Sequence, residues 1–140
     1  MLKIIGTLTT FLIFAGSANA ANIKCGVKPS NAVFLQENLM YDVAGTGRLY
    51  LHTGPDEKCV NKSLFVVPGD NLIAYNEYGG DAEWSYVMYV AKDGTEFNGW
   101  VLTNRLRFTG ASGPNMSQDA VKFYQRAAEA ANKGKLGSPK

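Results

Sequence analysis

A chain of 140 residues with 14 lysines and arginines against 12 aspartates and glutamates carries a formal charge of only +2, spread without a basic block. That balance excludes the electrostatic footprint of a nucleic-acid or anionic-lipid binder, so the expected partner is protein or glycan. The length allows one domain with a modest core and no second one.

The first segment, Met1 to Ala20, has one lysine (Lys3), a weakly polar to apolar run from Ile4 to Phe14, and a small-residue end Gly16-Ser17-Ala18-Asn19-Ala20. A positive start, an apolar centre and an Ala-x-Ala close are the three parts of a cleavable signal peptide, here cut after Ala20. A spanning helix needs about 20 apolar residues, roughly twice this run, so no stable membrane anchor is expected. No cysteine stands at the cleavage point, which argues against a lipid anchor. Loss of Lys3 leaves the exported chain near +1. It keeps Cys25 and Cys59, and an even count in an oxidising compartment reads as one disulfide.

Between Asn22 and Asn38 two readings stand: Ser30 caps a short helix reaching Glu37, or Val33-Phe34-Leu35 is a strand. From Leu39 the pattern alternates through Tyr41 and Val43, turns at Gly45-Thr46-Gly47 and resumes at Leu49-Tyr50-Leu51, which predicts a hairpin followed by a loop at Thr53-Gly54-Pro55-Asp56. Leu64 to Val67 is a short apolar run closed by Pro68-Gly69-Asp70, and Leu72 to Tyr78 is a strand ended by Gly79-Gly80-Asp81. Trp84 to Val90 is the clearest strand, with Trp84, Tyr86, Met88 and Val90 on one face and Ser85, Val87 and Tyr89 on the other. Lys92-Asp93-Gly94-Thr95 is a hairpin turn, and Gly99 to Leu102 and Leu106 to Phe108 complete the set. Short strands with a turn between each pair predict a small all-β barrel or sandwich over residues 21–108.

Residues 109–116, rich in Gly, Ser and Pro, read as a linker. Ala120, Phe123, Tyr124, Ala127, Ala128 and Ala131 then recur at helical spacing, with Ser117 as cap and Gly134 as stop. This predicts an amphipathic helix over 117–134, resting its Phe123 face on the barrel or docking a partner, before a disordered tail at 135–140.

Four segments in order, Leu51-His52-Thr53-Gly54-Pro55, Val67-Pro68-Gly69-Asp70-Asn71-Leu72, Trp84-Ser85-Tyr86-Val87 and Gly99-Trp100-Val101-Leu102 with Leu106 after it, resemble the bacterial SH3-like (Src-homology-3-like) domain. The likeness covers Arg48 to Phe108, about half of the exported chain. It implies a small SH3-like barrel, here with an N-terminal extension, one disulfide and a C-terminal amphipathic helix. It also implies a periplasmic or secreted bacterial protein, for which the glycosylation sequons Asn61-Lys62-Ser63 and Asn115-Met116-Ser117 carry no meaning. The segment with Cys25 and the loop with Cys59 depart from the family pattern.

The residues offer little chemistry. His52 is the sole histidine, beside the Gly-Pro turn, and the cysteines are tied together, which leaves no nucleophile and base pair. Three or four clustered zinc ligands are absent from the sequence, and neither metal nor cofactor is expected. Glu77, Asp81 and Glu83 share one turn, where carboxylates project into solvent or form an acidic contact surface more readily than they flank a cleft. Tyr75, Tyr78, Trp84, Tyr86, Tyr89 and Trp100 lie on adjoining strands, some in the core and some free to anchor an interface.

The expected binding site is therefore the acidic loop with its aromatic rims: Tyr75, Glu77, Tyr78, Asp81, Glu83, Trp84, Tyr86 and Trp100. The expected function is a non-catalytic periplasmic protein-binding module, an inhibitor or immunity protein of a cell-envelope enzyme or toxin that acts on peptidoglycan. The alternative is a cell-wall targeting domain that holds peptidoglycan stem peptides. A structural subunit of an envelope machine, docked through the C-terminal helix, is a third possibility.

Overall fold

A computed structural model describes residues 22–136; the expected signal segment and residues 137–140 lie outside the described residues. Seven strands form one antiparallel sheet: β1 (Val33–Val43), β2 (Leu49–His52), β3 (Val60–Val66), β4 (Asn71–Tyr78), β5 (Trp84–Val90), β6 (Glu96–Leu102) and β7 (Leu106–Ser112), followed by helix α1 (Gln118–Leu136). The strands run in the order β3-β2-β6-β5-β4-β1-β7. No ladder joins β3 to β7, so the sheet does not close into a hydrogen-bonded barrel. It nevertheless wraps a single core. Val43, Leu51, Val66, Leu72, Val87, Val101 and Leu106, one from each strand, belong to one buried cluster, and each side chain so buried contributes about 1.5–3 kcal/mol of hydrophobic stabilisation.

Val33-Phe34-Leu35 is a strand, and this decides the segment the sequence left open. The expected hairpin between residues 39–43 and 49–51 is corrected. β1 pairs with β4 and β7, whereas β2 pairs with β3 and β6. The reason lies in the intervening turn. Gly45 and Gly47 adopt positive φ, and Arg105 reaches in to donate from Nε to the Ala44 carbonyl (3.0 Å) and from Nη2 to the Thr46 (2.9 Å) and Gly47 (3.3 Å) carbonyls. Carbonyls held by an arginine fork steer the chain away from a tight reversal. The hairpin expected at Asp93-Gly94 is present: Val90 faces Glu96, and Gly94 takes φ 86°.

β2 crosses β6 closely at Gly99. A Cβ built there would lie 2.9 Å from Leu51 Cβ and 3.1 Å from the His52 carbonyl oxygen, neither of which is the end of a flexible chain. Gly99→Ala is accordingly expected to cost about 1–3 kcal/mol by overpacking. Urea denaturation with an unchanged slope checks this, since an equally stable variant would mean that the crossing has slack.

Strand β7 extends to Ser112, so only the second half of the expected linker is free of regular structure. Ser117 caps α1 as expected, its Oγ accepting from the Ala120 N–H (3.2 Å). The helix runs through Gly134 to Leu136, two residues past the expected stop. It packs on β7 through Ala128, one of the expected apolar positions, but not through Phe123. Ala128 is buried, Gln125 approaches Gly110, and Asn132 Nδ2 donates to the Phe108 carbonyl (2.8 Å). Phe123 is 60 % exposed on the far side. A small alanine lets the helix sit close to the glycine-containing strand, a fit that a phenylalanine would prevent.

Candidate functional site

A concave surface lies where the end of β4 meets the N-terminal arm. The arm, residues 22–32, is fixed at two points. The Cys25–Cys59 disulfide ties it to the loop after β2, with Cα atoms 5.2 Å apart, and the Gly26 N–H donates to the Thr53 carbonyl (2.9 Å). Gly54 makes this docking possible: a Cβ there would meet Cys59 Sγ at 3.2 Å and Ile23 at 3.4 Å.

On the opposite side β4 ends in Glu77 and Tyr78 and passes into the loop 79–83. Gly79 (φ 92°), Asp81 (φ 53°) and Ala82 (φ 52°) all take left-handed backbone there. For Ala82 this conformation costs about 1–2 kcal/mol, because Cβ crowds the following carbonyl. The loop is held from below by the Thr103 N–H, which donates to the Glu83 carbonyl (2.9 Å), and by the bond between Ser85 Oγ and Thr103 Oγ1 (2.7 Å).

Two adjoining concavities result. One, of about 310 Å³, is lined by Ile23, Lys24, Val27 and Lys28 of the arm and by Tyr78. The other, of about 340 Å³, is lined by Asn31, Val33, Glu77, Tyr78, Gly79, Gly80 and Ala82. They share Asn31 and Tyr78, so one groove has an apolar and cationic wall at one end and an acidic wall at the other.

Tyr78 is positioned by an aromatic stack beneath it. Its ring meets Trp100 edge-on at 6.3 Å, and Trp100 meets Tyr86 at 5.3 Å. The cross-strand register Asn76–Tyr86–Trp100–His52 builds this row. His52 Nδ1–H donates to the Trp100 carbonyl (3.2 Å), since a carbonyl only accepts, and its ring lies edge-on to Trp84 at 4.9 Å.

The structure thus brings Glu77 and Tyr78 of the expected site together in the groove and puts Asp81 and Glu83 on its exposed loop. It corrects the expected contact role of the tryptophans. Trp84 is 5 % exposed and Trp100 1 %, so both are buried beneath the surface and present almost no area for contact. Tyr86 is half-buried against Trp100, and Tyr75 donates its hydroxyl to Met88 Sδ (3.7 Å) away from the groove. Lys24, Val27, Lys28, Asn31 and Val33 line the groove and were not expected there. The available sequence signal was Cys25, whose bridge to Cys59 carries the arm across the domain.

Burial pushes the Glu77 carboxyl above the usual carboxylate range. Burial, and then the charge of Glu77, push the Tyr41 phenol up to about 12. For Glu77 the folded state prefers the protonated acid, so the stability it lends is full at low pH and is lost as pH rises through the raised value. Glu77→Gln is therefore expected to melt higher than wild type at pH 7, with a gain that shrinks towards pH 4. Equal gains at both pH values would reject a desolvated carboxylate.

Among the described residues no three His, Cys, Asp or Glu side chains gather as a metal site, and no helix is long and apolar enough to cross a membrane. Comparison with known proteins gives no match to a family model, a curated protein or a solved structure.

Proposed function

We propose that the chain is a non-catalytic protein-binding module of the periplasm, an SH3-like domain acting as inhibitor or immunity partner of a cell-envelope enzyme or toxin. The observation that carries this reading is the Tyr78 groove, with the lysines of the arm at one end and the carboxylate of Glu77 at the other. A tyrosine packed edge-on with a buried tryptophan is a rigid, amphipathic contact that loses little freedom when covered. The disulfide and the backbone bond at Gly26 order the arm beforehand, which lowers the entropy lost on association. The β4-β5-β6 meander, with β1 paired to the last strand around one core, supports the small-barrel reading even though β3 and β7 remain unjoined. The amino-terminal signal pattern supports export.

The test is capture from an envelope extract by wild type and by the Glu77→Lys, Asp81→Lys double variant. Loss of a specific envelope protein from the variant's catch is the expected result. A catch identical in both removes the acidic wall from the site.

A second reading, binding of peptidoglycan stem peptides, is favoured by the presence of both charge signs across one tyrosine, because stem peptides carry amino and carboxylate groups together. Co-sedimentation with purified peptidoglycan separates the two: pelleting abolished by Glu77→Lys supports the wall ligand, and a chain left in the supernatant supports a protein partner.

A further inference from the structure

The arm joins the sheet in a different way from that in which the strands join one another. No residue from Asn22 to Ala32 is buried, and the hydrophobic core draws all its members from the chain between Leu35 and Phe108. Beside the Cys25–Cys59 bridge, the arm is held by the Gly26 N–H on the Thr53 carbonyl (2.9 Å) and by Ile23 over Gly54. A segment with so little buried surface can open while the core stays closed. The two ends of the bridge are also unequal. Cys25 is exposed and follows Lys24 in the chain, whereas Cys59 is 4 % exposed and its Sγ lies against Gly54, 3.2 Å from where a Cβ would stand. A thiolate opens a disulfide by attacking one sulfur and expelling the other, so Cys25 Sγ is the end within reach, and exposed bridges are the reducible ones. The charge of Lys24 draws the incoming anion and stabilises a thiolate at Cys25.

We propose that the bridge is a redox latch on the Tyr78 groove: a dithiol opens it at Cys25, the arm comes free and takes the wall of Lys24, Val27 and Lys28 with it, and the sheet stays folded. The latch rests on the reading of that groove as the binding site and adds a control to it. In the first step a thiolate of the donor bonds to Cys25 Sγ, the bond between the cysteines breaks, and its electron pair leaves on Cys59, which takes up a proton. In the second step the donor's other thiol displaces Cys25. The donor ends as a disulfide, oxidised by two electrons, and its two protons end on the cysteines. Oxidation of the cysteine pair by a disulfide reverses both steps and rebuilds the wall.

Amide hydrogen exchange of the purified wild-type chain, before and after reduction with dithiothreitol in native buffer, tests the proposal. The Gly26 amide is expected to exchange at least about tenfold faster once the bridge is open, while the far-ultraviolet circular dichroism and a cooperative thermal transition are kept. Oxidised glutathione is expected to restore the slow rate. A brief exposure to reduced glutathione, quenched with iodoacetamide, is expected to leave glutathione on Cys25 and the alkyl group on Cys59, with the reverse product at least about tenfold rarer. Four results would overturn the latch: a bridge that yields only in denaturant, a sheet that collapses on reduction, a Gly26 rate that does not change, or glutathione found mainly on Cys59. None of these readouts involves a ligand. A groove found to bind nothing would thus remove the purpose of the latch and not its motion, and a latch that stays shut would leave the groove as the binding site.

Discussion

Replacing Trp100 by alanine is expected to lower the unfolding free energy by about 3–5 kcal/mol. The side chain is 1 % exposed and lies between the rings of Tyr86 and Tyr78, while its carbonyl holds His52. Its loss opens a large void at the centre of the β4-β5-β6 meander, and the surrounding strands are too tightly registered to collapse into it. Chemical denaturation of both proteins measures the difference. A rim residue would behave differently: its truncation would change stability by less than about 0.5 kcal/mol and show only in binding. That small change, if found, would return Trp100 to the surface role first expected from its place among the aromatics.

Replacing both cysteines, Cys25→Ala with Cys59→Ala, is expected to cost about 4 kcal/mol, the chain-entropy value for a loop closed across a sequence separation of 34. The arm should suffer more than the sheet. Once the bridge is gone the arm is attached by the Gly26 to Thr53 bond and the packing of Ile23 near Gly54, and its lysines are exposed. Trypsin under native conditions should then cut at Lys24 or Lys28 while the sheet from Val33 to Ser112 stays intact. The wild-type arm should resist. An arm equally protected without the bridge would show that packing alone holds the wall of the groove.

Much of the sheet was legible because strands announce themselves by local features. The alternation from Trp84 to Val90 and the turns at Pro68-Gly69 and Asp93-Gly94 located β4, β5 and β6 within a few residues. Pairing was less legible. The Gly45 to Gly47 turn looked like a hairpin until Arg105, far along the chain, was seen to hold its carbonyls. A contact between distant residues leaves no trace in a local pattern. The helix was found with its cap and its buried Ala128, but the orientation of Phe123 was misread. Ranking by hydrophobicity favoured Phe123, whereas the position buried against the sheet is Ala128, a smaller member of the same expected apolar set. In the site, Glu77 and Tyr78 were legible from the acidic turn. The tryptophans were misplaced because aromatic content alone does not tell an inner row from an outer one. The arm was missed because its weakly patterned residues acquire a role only through the bridge at Cys25.

The pairing of β1 with β7 also governs when the domain can come into being. β1 lies between β4 and β7, so until the chain through Ser112 has emerged one flank of the first strand stays bare, and the core lacks Leu106. Contacts that span nearly the whole sheet-forming chain are late and slow to form, because the entropy of closing so long a loop is lost before they return anything. A nascent chain short of β7 is therefore an unfinished sheet that must be kept apart from its neighbours.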